Sequence, residues 1–487
     1  MRHKVPREIR SVTETLRQAG FEAYLVGGCV RDLLLNRTPK DWDVTTNAKP
    51  EQIQALFPET FYTNDFGTVG VVNETDDETL KVVEVTPYRT ESTYGDKRRP
   101  DSVTFGDSIE EDLARRDFTM NAIAYDESKG HLIDPYKGQK DIEAGILQTV
   151  GSPEERFEED ALRLMRALRF VAELDFALDT NTAAAIQGKA ANLGHISKER
   201  IRDELIRILT SPRPLTALAL AARLGILAYI VPDLARSVGV GQNQAHSFDV
   251  FEHSLRSVQH AADKGWDLDV RLAALFHDIG KTDARRWSDE KKDWTFHGHE
   301  VVSARITKKA LNDLHFPRET IERVTKLVRW HMFFSDPDLI TLSAVRRMVR
   351  NVGEENIWDL LNVRICDRIG TGRPKEQPFR FRKYKAMVEQ ALRDPISVAM
   401  LKTNGNHLME TFHVQPGPRI GWTLNALLEE VLEDPSRNTE EYLDTRTGEL
   451  LTLSDDELRA LGEAGKQKRE EKEEEEVGKI LQKHHVQ

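Results

Sequence analysis

The chain has 487 residues, 39% of them hydrophobic and 31% charged, with a formal net charge of −12. That length exceeds one ordinary hydrophobic core and predicts two to four domains. No apolar run is long enough for a membrane span, and Met1–Ser11 lacks a signal-peptide core. Two cysteines, Cys29 and Cys366, exclude a disulfide framework, so a reducing cytoplasm is the expected location. The acidity weighs against non-specific nucleic-acid binding but permits a local basic groove.

Over residues 1–150, strand-like runs at Ala23–Val26, Val69–Val72 and Lys81–Thr86 alternate with short helical stretches, the pattern of an α/β or α+β domain. Leu25-Val26 reads as a strand running into Gly27-Gly28 and then a helix from about Cys29 to Leu35. Glycines at such a turn let backbone amides approach a phosphate, although they serve equally in a tight turn with no ligand. Asp41-Trp42-Asp43 follows, opening Val44-Thr45. In extended chain these aspartates share a face, where they repel unless a cation such as Mg²⁺ lies between them. That cation would activate a hydroxyl and clamp a triphosphate for in-line displacement. A polar turn with two exposed aspartates is the competing reading.

In this order Gly27, Gly28, Val30, Arg31, Asp32, Asp41 and Asp43 match G-G-x-V-R-D followed by D-x-D, and the chain resembles the tRNA CCA-adding enzyme and bacterial poly(A) polymerase family. Arg115 to Ala122 is similar to the family's second motif, which implies that Arg116, Asp117 and Asn121 contact the sugar and phosphates of an incoming nucleotide. Asp134 to Gly138, with Asp141, resembles the hinge between head and neck. Glu84 is a candidate third acidic neighbour of the metal. Pro87 to Val103, with Arg89, Arg98, Arg99 and Asp101, resembles a flexible loop associated in the family with the switch from C to A addition.

From Ser152 helical periodicity dominates, and apolar residues recur at i, i+3, i+4 across Phe157 to Ala172. Asp160 and Arg163, three apart, are expected on one helix face, where a surface ion pair is the plain reading. A carboxylate only accepts hydrogen bonds and a guanidinium only donates them. Cytosine and adenine each present an amino donor beside a ring-nitrogen acceptor, whereas uracil and guanine present ring N–H and carbonyl. One Asp with one Arg can therefore accept CTP and ATP and refuse UTP and GTP. The resemblance assigns that work to Glu159, Asp160 and Arg163, and Arg166 joins the nucleotide-binding set. Ser197 to Arg200, with Glu204, resembles the next neck motif, a brace for the base-reading helix with Ser197 as its N-cap. Breaks at Ser211 to Pro214 and Val231 to Asp233 mark helix ends.

Next come His253, His277-Asp278 and Asp367, the H…HD…D order of the HD hydrolase superfamily. Each lies in a helical-looking stretch: Val250 to Val258, Leu272 to Ile279 and Ile357 to Arg368. Any one of these histidines alone would suit a structural role. Together they make a centre for a divalent transition metal such as Ni²⁺, Mn²⁺ or Fe²⁺, and His299 and His331 add two candidate ligands whose positions resemble those of the superfamily's two-metal members. Such a centre suits hydrolysis of phosphate esters, with Lys281 placed to hold a substrate phosphate. His246, His260 and His297 read as bystanders.

The resemblance spans about Ala23 to Leu443. It implies an α/β nucleotidyltransferase head (polymerase-beta-like) over 1–150 and an all-α neck that binds base and RNA over 151–235. An HD-type helical body over 236–375, a helical tRNA-binding tail over 376–445 and a charged extension over 446–487 complete the chain. Pro416-Gly417-Pro418 belongs to the tail pattern, which departs from the family at His407, where an acidic residue is expected. The implied activity is addition of CCA to tRNA from CTP and ATP with Mg²⁺, joined to phosphohydrolysis at the HD centre. The expected protein is a monomer or homodimer with no membrane partner. Alternatives are an A-adding enzyme or poly(A) polymerase of the same family, or a phosphohydrolase whose head only holds RNA. A non-catalytic RNA-binding module is disfavoured by two complete metal constellations.

Overall fold

Among the described residues, nine strands and six α-helices follow one another in the first part of the chain: α1 (Arg7–Gln18), β1 (Ala23–Val26), α2 (Gly28–Leu34), β2 (Trp42–Thr46), α3 (Pro50–Leu56), β3 (Thr60–Tyr62), β4 (Val69–Val72), α4 (Glu78–Lys81), β5 (Val82–Pro87), β6 (Arg89–Ser92), β7 (Ser102–Phe105), α5 (Ile109–Ala114), β8 (Ala124–Asp126), β9 (His131–Ile133) and α6 (Gly138–Ala144). The computed structural model describes residues 5–63, 67–92, 102–244, 246–333, 340–393 and 397–463. Seven strands form one sheet in the order β3-β4-β5-β2-β1-β8-β9, and β6 pairs with β7. The β2–β5 pair is parallel, with Asp43 opposite Glu84 and Thr45 opposite Thr86. Because side chains alternate along a strand, Asp43, Thr45, Glu84 and Thr86 lie on one face, while Val44, Val83 and Val85 are buried on the other. Arg98, Arg99 and Asp101 lie outside the described residues.

Helices take over from α7 (Pro153–Glu159): α8 (Leu162–Leu174), α9 (Thr180–Lys189), α10 (Lys198–Thr210), α11 (Pro214–Arg223), α12 (Leu227–Ile230) and α13 (Pro232–Ala235). A short parallel pair, β10 (Ile146–Leu147) with β11 (Ala177–Leu178), ties the start of this stretch together. The structure divides into two compact units, Met1–Ala235 and Arg236–Gln487.

The second unit is built on α14 (Val250–Asp263), α15 (Leu268–Phe276), α16 (Lys281–Ala284), a hairpin of β12 (Arg286–Ser288) and β13 (Asp293–Thr295), α17 (His299–Asp313), α18 (Arg318–Trp330), α19 (Leu342–Val352) and α20 (Ile357–Gly370). Every residue of α15 from Val270 to Phe276 is buried, as expected of a helix packed on all sides by α14, α18 and α20. Then come α21 (Phe379–Ala391), α22 (Gly405–Phe412), α23 (Pro418–Glu433) and α24 (Glu440–Leu450). Pro418 opens α23 at its first position, where a missing N–H costs nothing. His407, where an acid was expected, pairs instead with the acid of Asp444 at 2.8 Å.

Candidate functional site

The turn after β1 places Gly27 at φ +76, a backbone region that disfavours side chains, and a Cβ there would lie 2.9 Å from Arg116 Nη1. Asp43 Oδ2 is the next atom such a Cβ would meet, at 3.6 Å, so the turn, the carboxylate and the guanidinium meet at one point. Burial pushes the Asp43 carboxyl up to about 6; Arg116 opposes the rise while Glu84 and Asp41 add to it. Burial and Asp41 also raise Glu84. Three carboxylates therefore share one field. Asp41 falls one residue before β2 and is exposed, so only Asp43 of the pair belongs to the strand itself. Two or three oxygen donors completed by substrate phosphates is the arrangement Mg²⁺ favours, so the donors fit that ion.

Asp112, buried on α5, aims Arg116. Its Oδ2 accepts from Arg116 at 3.1 Å and its Oδ1 from Arg115 at 2.6 and 2.9 Å. Sequence reasoning passed over Asp112, although its i, i+3 and i, i+4 spacing to the two arginines was the available signal. Arg31, Asn121, Asp117 and Arg166 form one chain of bonds. Arg31 donates to Asp32 and, at 3.0 Å, to Asn121; Asn121 donates to Asp117 at 3.1 Å, and Arg166 donates to Asp117 at 2.7 Å. Burial would raise the Asp117 carboxyl, but Arg166, Asn121 and Arg163 hold it well below the usual range. Phe170 stands among Arg31, Arg166 and Arg169, whose guanidinium carbons lie 5.3, 5.6 and 4.4 Å from its ring centre. The sequence singles out Arg31 and Arg166, but not Phe170 or Arg169.

The expectation of Asp160 and Arg163 side by side on one helix is corrected. The helix breaks between α7 and α8, and Asp160 sits at the break in extended conformation, φ −143 and ψ 106. Its Oδ1 accepts the Leu162 N–H at 3.0 Å, a local bond that competes with helix continuation. Its Oδ2 accepts from Arg200 at 2.8 Å. Arg163 donates to Glu159, to the Arg156 carbonyl at 3.0 Å and to the Arg115 carbonyl at 3.2 Å. The two residues are thus held separately, and neither is spent on the other. Glu204 on α10 accepts from Arg169 of α8 at 2.9 and 3.1 Å, the expected brace. Ser197 occupies the N-cap position of α10, but its side chain makes no capping bond.

In the second unit His253, His277, Asp278 and Asp367 form one group of converging ligand atoms, and Asp278, His299 and His331 form another. His253 Nε2 and His277 Nε2 lie 2.9 and 3.3 Å from Asp278 Oδ2, and 3.5 and 3.7 Å from Asp367 Oδ1. On the other side of the carboxylate, His299 Nε2 and His331 Nε2 lie 3.1 and 3.6 Å from Asp278 Oδ1. Asp278 therefore bridges two groups. The sequence expectation put His277 and Asp278 inside a helix; instead His277 caps α15 and Asp278 follows in the turn. That turn lets His277 Nδ1 face the Ala274 carbonyl at 2.9 Å, and His299 and His331 do the same to Phe296 and Val328 at 2.7 Å. With Nδ1 carrying the proton, the Nε2 atoms of His299 and His331 are left as lone pairs directed inward. The buried His299 and His331 Nε2 atoms have no hydrogen-bond partner among the described residues. Burial lowers His331 to about 4, whereas Asp278 and Asp367 outweigh burial at His277 and raise it to about 10. Orphaned donors around two buried carboxylates fit divalent metal. Gly370 lets α20 close on α14, since a Cβ would lie 2.2 Å from Ser257 Oγ and 2.9 Å from His253 Nδ1.

Lys281 reaches Asp278 Oδ2 at 2.6 Å and donates to Gln242 at 2.7 Å. His246, read as a bystander, lies 3.4 Å from Lys281 Nζ and lines the cavity over the cluster. His297 also lines that cavity, whereas His260 stacks edge-on against Trp266. Cys29 and Cys366 are both buried and free. Among the described residues, no helix is long and apolar enough to cross a membrane.

Family models match three stretches: "Poly A polymerase head domain" at residues 23–148, "Probable RNA and SrmB- binding site of polymerase A" at 175–237, and "HD domain" at 250–369. The CCA-adding enzyme of Geobacillus kaustophilus is 50% identical over 228 residues, 47% of this chain and 55% of that protein. That of Listeria monocytogenes is 46% identical over 220 residues, 45% and 54% of the two chains. The chain thus spans about half the length of the curated relatives it matches. The crystal structure of Bacillus stearothermophilus CCA-adding enzyme in complex with CTP matches 92% of this chain and 99% of that one, at 30% identity and a TM-score of 0.69. Thermotoga maritima CCA-adding enzyme complexed with tRNA shares the fold, at 20% identity and a TM-score of 0.56 over 92% and 97% of the chains.

Proposed function

The chain belongs to the CCA-adding enzyme family, and from that premise we propose that it adds C, C and A in turn to the 3′-hydroxyl of tRNA in the cytoplasm. At each step the 3′-oxygen bonds to the α-phosphorus of CTP or ATP, the bond to the bridging oxygen breaks, and pyrophosphate leaves. The observation that carries this reading is the meeting of Asp43, Glu84 and Arg116 over the Gly27 turn, with Asp41 beside them. Asp41 and Asp43 would hold Mg²⁺, which supplies charge stabilisation to the triphosphate and to the attacking hydroxyl. Arg116 neutralises phosphate charge, and Asn121 and Asp117 orient the nucleotide from their bonded chain. Asp160, steadied by Arg200, accepts the base amino group, while Arg163 donates to the ring nitrogen.

In this reading residues 1–150 are the head, 151–235 the neck, 236–375 the HD body, 376–445 the tRNA-docking tail and 446–487 an extension. The HD centre is a second active site for phosphate-ester hydrolysis. His253, His277, Asp278 and Asp367 would hold one divalent transition metal, such as Ni²⁺, Mn²⁺ or Fe²⁺, and Asp278, His299 and His331 a second. Bound metal supplies an acidified water there. The water oxygen bonds to phosphorus, the ester P–O bond breaks, and the departing alcohol takes one proton. Lys281 neutralises the phosphate.

The test is extension of tRNAs ending before CCA, after C and after CC, with Mg²⁺ and each nucleotide alone or together. Growth by C, C and A followed by arrest is expected. Extension of the CC-ended tRNA alone, or an open-ended A tail, would move the chain to an A-adding or polyadenylating activity.

A further inference from the structure

Three backbone pairings align four residues across the sheet of the first unit. Phe61 of β3 pairs with Gly70 of β4, Gly70 with Glu84 of β5, and Glu84 with Asp43 of β2. Directly paired residues point to the same side of a sheet, so Phe61 stands on the face that carries the carboxylates. Gly70 has no side chain, and the Phe61 ring lies down over it. A Cβ there would be 2.6, 2.8 and 2.9 Å from ring atoms Cζ, Cε1 and Cε2. Neighbouring strands are about 4.8 Å apart, so the end of the ring lies one strand from Glu84 and two, about 10 Å, from Asp43. Strand β3 is the edge of the sheet, and Phe61 is 44% exposed. An aromatic laid over a strand glycine is a packing device, and single exposed aromatics are ordinary. What sets this one apart is its line of register with Glu84 and Asp43. On the same face the Thr68 hydroxyl, 3.2 Å from that of Thr86, accepts from Arg89 at 3.1 Å, and the Arg89 charge acts on Glu84. An aromatic face with a cation beside it holds a nucleotide by its base and its phosphate.

The end that receives the next nucleotide changes at each step of the proposed reaction, from the tRNA's own last base to C and again to C. Donors and acceptors set for one base would oppose another, whereas every base has a π-face. We propose that Phe61 is the platform for the last base of the tRNA being extended, stacking whichever base stands there. Its ribose 3′-hydroxyl then falls beside Glu84 and Asp43, with Arg89 on its phosphate. The proposal rests on the CCA-adding reading and adds a base-indifferent contact for the growing end to the base-selective pair Asp160 and Arg163, which reads the incoming nucleotide.

The test uses the full chain with Mg²⁺, CTP and ATP, and tRNAs ending before CCA, after C and after CC. Each is also made with a 3′-terminal ribonucleotide that lacks its base. For the parent, loss of that base should lower kcat/KM for the tRNA about tenfold, the worth of one stack. Phe61→Leu, which still covers Gly70, should raise KM for all three intact tRNAs by a similar factor and leave KM for CTP and ATP unchanged. It should also abolish the penalty for the missing base, and Phe61→Trp should restore that penalty. A ring that only packs would shift the melting temperature and leave the penalty intact in Phe61→Leu, and that result would overturn the proposal alone. So would a parent enzyme indifferent to the missing base. Extension of no tRNA by the parent would overturn the CCA-adding reading and the proposal with it.

Discussion

Asp112 and Asp117 are buried carboxylates whose work is to aim cations. Without the Asp112 charge, Arg116 loses the partner that points it over Gly27, and misplacement by about 1 Å costs roughly a hundredfold in rate. Asp112→Asn should therefore lower kcat/KM for CTP and ATP alike by about ten- to a hundredfold with C/A selectivity retained, as read in steady-state extension. Asp117 makes a pH prediction. Burial opposes its ionisation, yet Arg166 and Asn121 hold its folded pKa below the unfolded value. A group depressed in this way stabilises the fold above its unfolded pKa of about 3.9 and loses that contribution as pH falls toward the folded value. Asp117→Asn should melt below the parent at pH 7, and the gap should narrow as pH is lowered below about 4. A gap independent of pH would refute the linkage.

At the scale of elements, the decisive feature is the break between α7 and α8. A continuous helix would have joined Asp160 to Arg163; the break hands Asp160 to Arg200 of α10 and leaves Arg163 to Glu159. Arg200→Ala should accordingly loosen nucleotide choice, with UTP misincorporation rising more than CTP use falls. Unchanged selectivity would remove α10 from base reading. The Arg169–Glu204 pair ties α8 to α10 inside the unit. Glu204→Leu strands a buried guanidinium, a change that costs roughly 3–5 kcal/mol, and Arg169→Met added to it should recover most of the loss in thermal denaturation.

For the whole molecule, the two proposed chemistries, one in each compact unit, predict separable defects. Asp41→Ala should abolish nucleotide addition and spare phosphate release, and His277→Ala with Asp278→Ala should do the reverse. Loss of both activities in either folded variant would end the two-site account. A tRNA held through discrete cations, as proposed, predicts addition that weakens steeply with salt. Legible in the sequence were the order of the three family-matched stretches, the Gly27-Gly28 turn, Asp43, and the six HD residues that the structure gathers into two groups. Those depend on local spacing and on residue types whose chemistry admits few uses. Packing alone set Asp43 opposite Glu84 across a parallel pair and Asp278 between two groups. It alone set Asp112 under Arg116, turned Asp160 to Arg200 and brought His246 to the cavity wall. Those contacts join residues on different strands and helices, and register, burial and helix breaks are set by packing that no local pattern encodes.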